Sequence, residues 1–188
     1  MLLRFLESTP LANYKILSNS ITPRPIAWIS TSSPSGVVNL APFSFFAPLC
    51  ATPVIFGVSI MNKSNGAPKD TLENARATGR LTISTVQPRF LESMQQTSTE
   101  LPASVSEADQ YGIDLETMTT TYPPMVRGSL VAFFCDFREI LHFSPTSSTL
   151  IAEAKEVFIH DSIYTESLNF SLDNVGRVGK SFIYGSRE

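Results

Sequence analysis

The sequence predicts a mainly β protein, an antiparallel barrel flanked by a few short helices. Three observations carry this expectation. Apolar runs rich in β-branched and aromatic residues recur along the chain, at Ile26 to Thr31, Pro53 to Ile60, Arg80 to Val86, Leu130 to Leu141 and Thr149 to His160. Turn-forming residues punctuate these runs. No regular series of helices alternates with them, as a doubly wound parallel sheet would require.

Each element has its own local reason. Ile26 to Thr31 reads as a strand, Pro34-Ser35-Gly36 as its turn, and Val37 to Leu40 as the start of the return strand. Pro53 to Ile60 is almost continuously apolar, the pattern of a strand buried on both faces. Arg80 to Val86 alternates, Leu130 to Leu141 forms a long strand and Thr149 to His160 another. A helix is predicted over Thr71 to Thr78, with Asp70 as cap, Glu73 three residues on and Gly79 as stop. A second covers Ser106 to Tyr111, capped by Ser106, ended by Gly112, with Glu107 and Asp109 in its first turn. A third, weaker helical signal precedes Thr97. Residues 95–105 and 117–125 read as loops, broken by Pro102, Pro123 and Pro124.

The bulk properties bound the function. The 188 residues fit one domain over residues 1–188. With 43% hydrophobic and 16% charged residues, the chain is too apolar for disorder. Thirteen Phe need burial, within one subunit or between two. A net charge of -3 gives no general attraction to nucleic acid. No window is long and apolar enough to cross a bilayer as a helix. The first residues, MLLRFLESTPLANY, place an arginine and a glutamate within the apolar patch, unlike a signal peptide. Cys50 and Cys135 are too few for a secreted disulfide scaffold. A reduced, cytoplasmic protein is therefore expected. Within residues 1–62 the only acidic side chain is Glu7, which suits an anionic ligand or simply reflects buried strands.

Three segments carry polar groups in unusual places. Ser30, Thr31, Ser32, Ser33 and Ser35 cluster near the first turn. They can donate to phosphate or ribityl oxygens, or bond the local backbone. In Asn39-Leu40-Ala41-Pro42-Phe43-Ser44-Phe45-Phe46 an amide and a hydroxyl interrupt an apolar and aromatic run. A planar heteroaromatic ring would supply partners for them, and so would backbone at a bulge near Pro42. Lys69-Asp70-Thr71 stands where a loop enters a helix, a place that favours phosphate, although for the triplet taken alone ordinary capping is the better account.

Other chemistry is poorly provided for. His142 and His160 lack metal-ligand spacing. Neither the G-x-S-x-G nucleophile elbow nor the G-x-G-x-x-G dinucleotide fingerprint occurs. Two cysteines fall short of an iron–sulfur ligand set. Cys50 reads as a thiol beside a bound ring or as a small buried residue.

Taken together, TPRPIAWIST, then GVVNLAPFSFF, then a strand and KDT, resemble the flavin reductase-like family with an FMN-binding split barrel, the group that includes flavoredoxins. The resemblance is close over Ile21 to Gly79 and looser through VGRVGKSFIYG. It implies a six-stranded antiparallel split β-barrel with Greek-key character, and a homodimer with FMN near the subunit interface. It implies Ser30, Thr31 and Ser32 along the ribityl and phosphate. Asn39, Ala41, Ser44 and Phe46 would line the isoalloxazine, and Lys69 and Thr71 would hold the phosphate. Arg24 and Arg177 are candidates for the flavin or the interface. The implied activity is an FMN-dependent oxidoreductase that takes hydride from NADH or NADPH and passes it to a small-molecule or protein acceptor. No catalytic side chain or metal is needed. The alternative is an FMN-binding electron carrier without turnover of its own.

Overall fold

A computed structural model describes residues 2–185. The helices are α1 (Pro10–Ser20), α2 (Asp70–Thr78), α3 (Leu91–Gln96) and α4 (Glu107–Tyr111). The strands are β1 (Arg24–Pro25), β2 (Ala27–Ser32), β3 (Val38–Phe43), β4 (Phe46–Ala51), β5 (Val54–Met61), β6 (Arg80–Ser84), β7 (Leu115–Glu116), β8 (Met125–Val126), β9 (Val131–Ser144), β10 (Ser147–Ile159), β11 (Gly176–Val178) and β12 (Ser181–Ile183).

The main sheet has the order β3-β2-β6-β9-β10-β5-β4, with every pair antiparallel. It therefore holds seven strands rather than the six expected, and its ladder does not close, since β3 and β4 are its edges. The additional strand is β4. After Ser44 the chain turns back through Thr52-Pro53 and lays Phe46 opposite Val58. A small sheet, β1-β11-β12, and the pair β7-β8 complete the strands. The β9–β10 hairpin carries three register shifts. Such bulges bend and twist a ribbon, which lets one hairpin serve β6 on one side and β5 on the other.

The central strands are covered on both faces. Ala27, Ile29, Leu81 and Ile83 pack with Val58, Ile60 and Leu150 beneath Leu72 and Ala75 of α2. On the other side Trp28 and Leu40 meet Val86, Met94, Ala108, Val126 and Val175. This accounts for β6, whose sequence alternates apolar and hydroxyl residues although both its faces are covered. Thr82 and Ser84 are buried, and they satisfy the overlying loop: Thr82 Oγ1 donates to Pro123 O at 2.6 Å and Ser84 Oγ accepts from Val126 N at 3.1 Å. β5, expected to be buried on both faces, is buried only through Phe56–Val58 and at Ile60, and its ends are exposed.

Three further details depart from expectation. Pro42 makes no bulge. The β2–β3 register runs unbroken from Ala27↔Phe43 to Ser32↔Val38, with Pro42 opposite Trp28. An edge strand tolerates the missing N–H. Helix α2 has Lys69 as its N-cap residue, and Asp70 is already helical, with its carboxylate on Lys63 Nζ at 2.7 Å. Gly79 does end α2 with φ 74°, the left-handed cap that glycine adopts without strain. Helix α1, not expected at all, is signalled only by Thr9, whose hydroxyl accepts from Ala12 N, and by Pro10 at its first position.

Candidate functional site

Two adjoining cavities lie along the edge strand β3. The first, about 70 Å³, is lined by Asn39, Ala41, Pro42, Phe43, Lys63, Lys69, Thr71, Glu100 and Glu107, among others. The second, about 250 Å³, is lined by Ser44, Met94, Gln95, Arg177 and Phe182 and shares Pro42, Phe43 and Ser98 with the first. The arrangement follows from strand geometry. Thr31 and Asn39 are directly opposed in the β2–β3 register, so both face α2. Asn39 Nδ2 donates to Thr71 Oγ1 at 2.9 Å, and Asn74 Nδ2 donates to Thr31 Oγ1 at 3.3 Å. The edge strand is thereby tied to the first turn of α2.

The sequence-derived candidates separate into groups. Asn39, Ala41, Lys69 and Thr71 meet in the first cavity. Thr31 is buried just behind them, and Ser32 is half-buried at the end of β2. Ser30 lies on the opposite face of β2, where its hydroxyl donates to Pro124 O at 2.5 Å. Ser44 and Arg177 line the second cavity. Arg177 stacks on Phe182 at 4.5 Å, and its Nε donates to Gly179 O. Phe46 packs against Phe56 at 5.4 Å and borders an apolar hollow that Arg24 and Ser44 also line. Arg24, opposite Arg177 in the β1–β11 register, is buried beneath Phe45 and donates to Ser18 O. Burial lowers its pKa, and the nearby Arg177 charge lowers it further.

The electrostatics of the first cavity are mixed. Lys63 pairs with Asp70, and Lys69 pairs with Glu100, each at 2.7 Å. Glu107 is buried, and its Oε2 accepts from Leu40 N at 2.9 Å. Burial raises the pKa of Glu107, against the opposing pull of that backbone hydrogen bond. Lys63, Glu100 and Glu107 were not singled out as site residues from the sequence. A second lysine six residues before Lys69 was a readable signal. Nothing in the order of residues links Glu100 or Glu107 to Lys69 or Leu40, because those contacts span 31 and 67 residues. Among the described residues no group of His, Cys, Asp and Glu could hold a metal ion. His142 and His160 are exposed and bond Ser148 and Ser162. Cys50 is exposed and borders neither cavity.

Seven antiparallel strands in an open ladder, with a polar notch beside the edge strand β3, form a split-barrel fold. The chain belongs to the flavin reductase-like family: the profile of the flavin reductase like domain matches residues 19–179. Among curated relatives, an uncharacterised protein of Aquifex aeolicus is 30% identical over 174 residues, covering 90% of this chain and 87% of the relative. An uncharacterised protein of Halalkalibacterium halodurans is 30% identical over 185 residues, with 90% and 88% covered. Among solved structures, nitrilotriacetate monooxygenase component B from Bacillus cereus superposes with a TM-score of 0.90 at 23% identity, covering 100% of this chain and 96% of that one. Flavoredoxin of Desulfovibrio vulgaris gives 0.77 at 14%, with 100% and 95% covered. These likenesses establish the split-barrel fold, and membership in the family implies a flavin cofactor. Among the described residues no helix is long and apolar enough to cross a membrane.

Proposed function

We propose that this protein is an FMN-dependent oxidoreductase, a flavin reductase that accepts hydride from NADH or NADPH. The observation that carries the reading is the pair of adjoining cavities, with Lys63, Lys69 and Thr71 at one end, Ser44, Gln95 and Arg177 at the other, and an apolar wall of Pro42 and Phe43 shared between them. That donor set fits a phosphate-bearing heteroaromatic ligand. Lys69 and Thr71 would hold the phosphate, with Thr31 and Ser32 toward the ribityl chain. Asn39, Ala41 and Ser44 would line the ring, with Arg177 beyond it. A charge-assisted hydrogen bond of the Lys69 kind contributes about 1.5–3 kcal/mol.

Bound flavin would supply the chemistry that the side chains lack, accepting hydride at its N5 and passing electrons on. The protein's part is to bind and orient. The Asn39–Thr71 bond fixes the amide on the edge strand, and Glu107 anchors the Leu40 amide between Asn39 and Ala41. Pro42 and Phe43 keep water from one side of the wall.

The same reading includes a homodimer. Leu17, Ile21, Phe45, Phe46, Leu49 and Phe143 surround an apolar hollow of about 530 Å³, and Phe143 is 81% exposed. Exposed apolar patches of this kind mark contact surfaces.

The test is an absorbance spectrum of the purified protein with FMN, before and after NADH or NADPH under anaerobic conditions. Flavin absorbance that bleaches supports a reductase. Bound flavin that stays oxidised favours an electron carrier, and a protein that cannot take up FMN refutes both.

A further inference from the structure

Glu100 sits in an unusual seat. Its carboxylate accepts from Ser64 N through both oxygens, at 3.1 and 3.2 Å, from Ser64 Oγ at 2.7 Å, and from Lys69 Nζ at 2.7 Å. A backbone amide, a hydroxyl and an ammonium group converge on one oxyanion. Glu100 is presented by the segment between α3 and α4, which has no strand or helix from Thr97 to Ser106. Its partners, Lys69 and Ser64, stand 31 and 36 residues earlier in the chain, in the segment that leads into α2.

We infer that Ser64 and Lys69 form an oxyanion cradle for the phosphate of the flavin, and that Glu100 occupies it as an internal stand-in which the phosphate displaces. The inference rests on the flavin reading above and deepens it. It assigns a binding role to Ser64 and makes Glu100 a competitor of the ligand.

Donors that satisfy a carboxylate satisfy a phosphate oxygen equally well, since both are charged acceptors of similar reach. The phosphate carries nearly twice the charge, so it gains more from Lys69 than the carboxylate does. Displacement gives up the hydrogen bonds from Ser64 and Lys69, and that cost is what makes Glu100 a competitor; the released side chain, already 35% exposed, returns to water. Charge balance points the same way. With Glu100 seated, Lys63 and Lys69 face three carboxyl groups, those of Asp70, Glu100 and Glu107. Once Glu100 leaves, the cavity is no longer net acidic and an anion can enter. The seated carboxyl is strongly ionised, because hydrogen bonds from Lys69 and then Ser64 pull its pKa down to about 2. Only a competing anion, not mild acid, would unseat it.

The experiment compares FMN with riboflavin, which has the same ring and no phosphate, on the wild type, Glu100→Gln and Ser64→Ala, using quenching of flavin fluorescence. Glu100→Gln is expected to bind FMN about tenfold more tightly, and Ser64→Ala about fivefold more weakly, with riboflavin affinity unchanged in both. Unchanged or weaker FMN binding by Glu100→Gln would overturn the inference, as would an equal gain for riboflavin, because a structural strap rather than a competitor would then be at work. If no form binds either flavin, the flavin reading fails on its own. Inorganic phosphate then decides: a larger phosphate-induced rise in melting temperature for Glu100→Gln than for the wild type supports the cradle, and equal rises overturn it.

Discussion

Replacing Glu107 should alter stability in a way that depends on pH and on what replaces it. Glu107 opens α4, is 6% exposed and gives the edge-strand amide of Leu40 its acceptor at 2.9 Å. Glu107→Ala leaves that N–H unpaired, which costs about 1–3 kcal/mol. Glu107→Gln keeps an acceptor oxygen and removes the charge, so its cost should stay below about 1 kcal/mol. Burial raises the carboxyl's pKa above its ordinary 4.5, helped by the nearby Asp70 charge. A raised pKa means that the folded state favours the protonated form. That contribution to stability is complete below the unfolded value and is lost as pH rises through the folded one. The wild type should therefore lose stability relative to Glu107→Gln as pH climbs from 4.5. Titrations shared by both proteins cancel in the difference. Urea denaturation of the wild type and both variants across the acid-to-neutral range measures it. A pH-independent difference between the wild type and Glu107→Gln would refute the burial argument, and equal stability of the Ala and Gln variants would refute the role of the Leu40 bond.

Other consequences can be checked alongside. Tyr122 donates to Asp136 at 3.0 Å, and burial and that bond push its pKa up to about 12; Tyr122→Phe should cost about 1 kcal/mol in urea denaturation. That stabilisation is present below the ordinary value of 10.0 and fades as pH rises toward 12. Ile83→Ala empties a fully enclosed site between β2 and β9 and should cost about 2–5 kcal/mol in the same assay. Gly79→Ala forces a side chain onto φ 74° and should cost about 1–3 kcal/mol, although nothing crowds the added methyl group. Phe143→Asp should convert a dimer to monomers in sedimentation equilibrium without lowering monomer stability, and a wild type that is monomeric would refute the proposed interface.

The long strands and the α2 and α4 stops were legible because their signals are local: β-branched runs, Gly79 and Gly112. Strand β4 was not, because FAPLCA is exposed along most of its length, so no buried face marks it as a strand. Helix α1 escaped for a related reason: Leu11, Tyr14 and Leu17 are all partly exposed, so no clean apolar stripe marks it. In the site, Asn39, Lys69 and Thr71 could be nominated because motif and spacing bring them together. Ser30 and Thr31 show the limit. They are neighbours in sequence, and the two-residue period of a strand sends them to opposite faces. Glu100 and Glu107 needed the fold itself, since only tertiary packing carries them to Lys69 and Leu40.

The central claim is that flavin phosphate is held at Lys69 and Thr71, and titration of FMN against Lys69→Ala, Thr71→Ala and the wild type tests it most directly. Loss of each contact should weaken FMN binding by roughly tenfold, about 1.4 kcal/mol, with riboflavin affinity little changed. FMN affinity that survives both substitutions unaltered would contradict the account and place the flavin elsewhere.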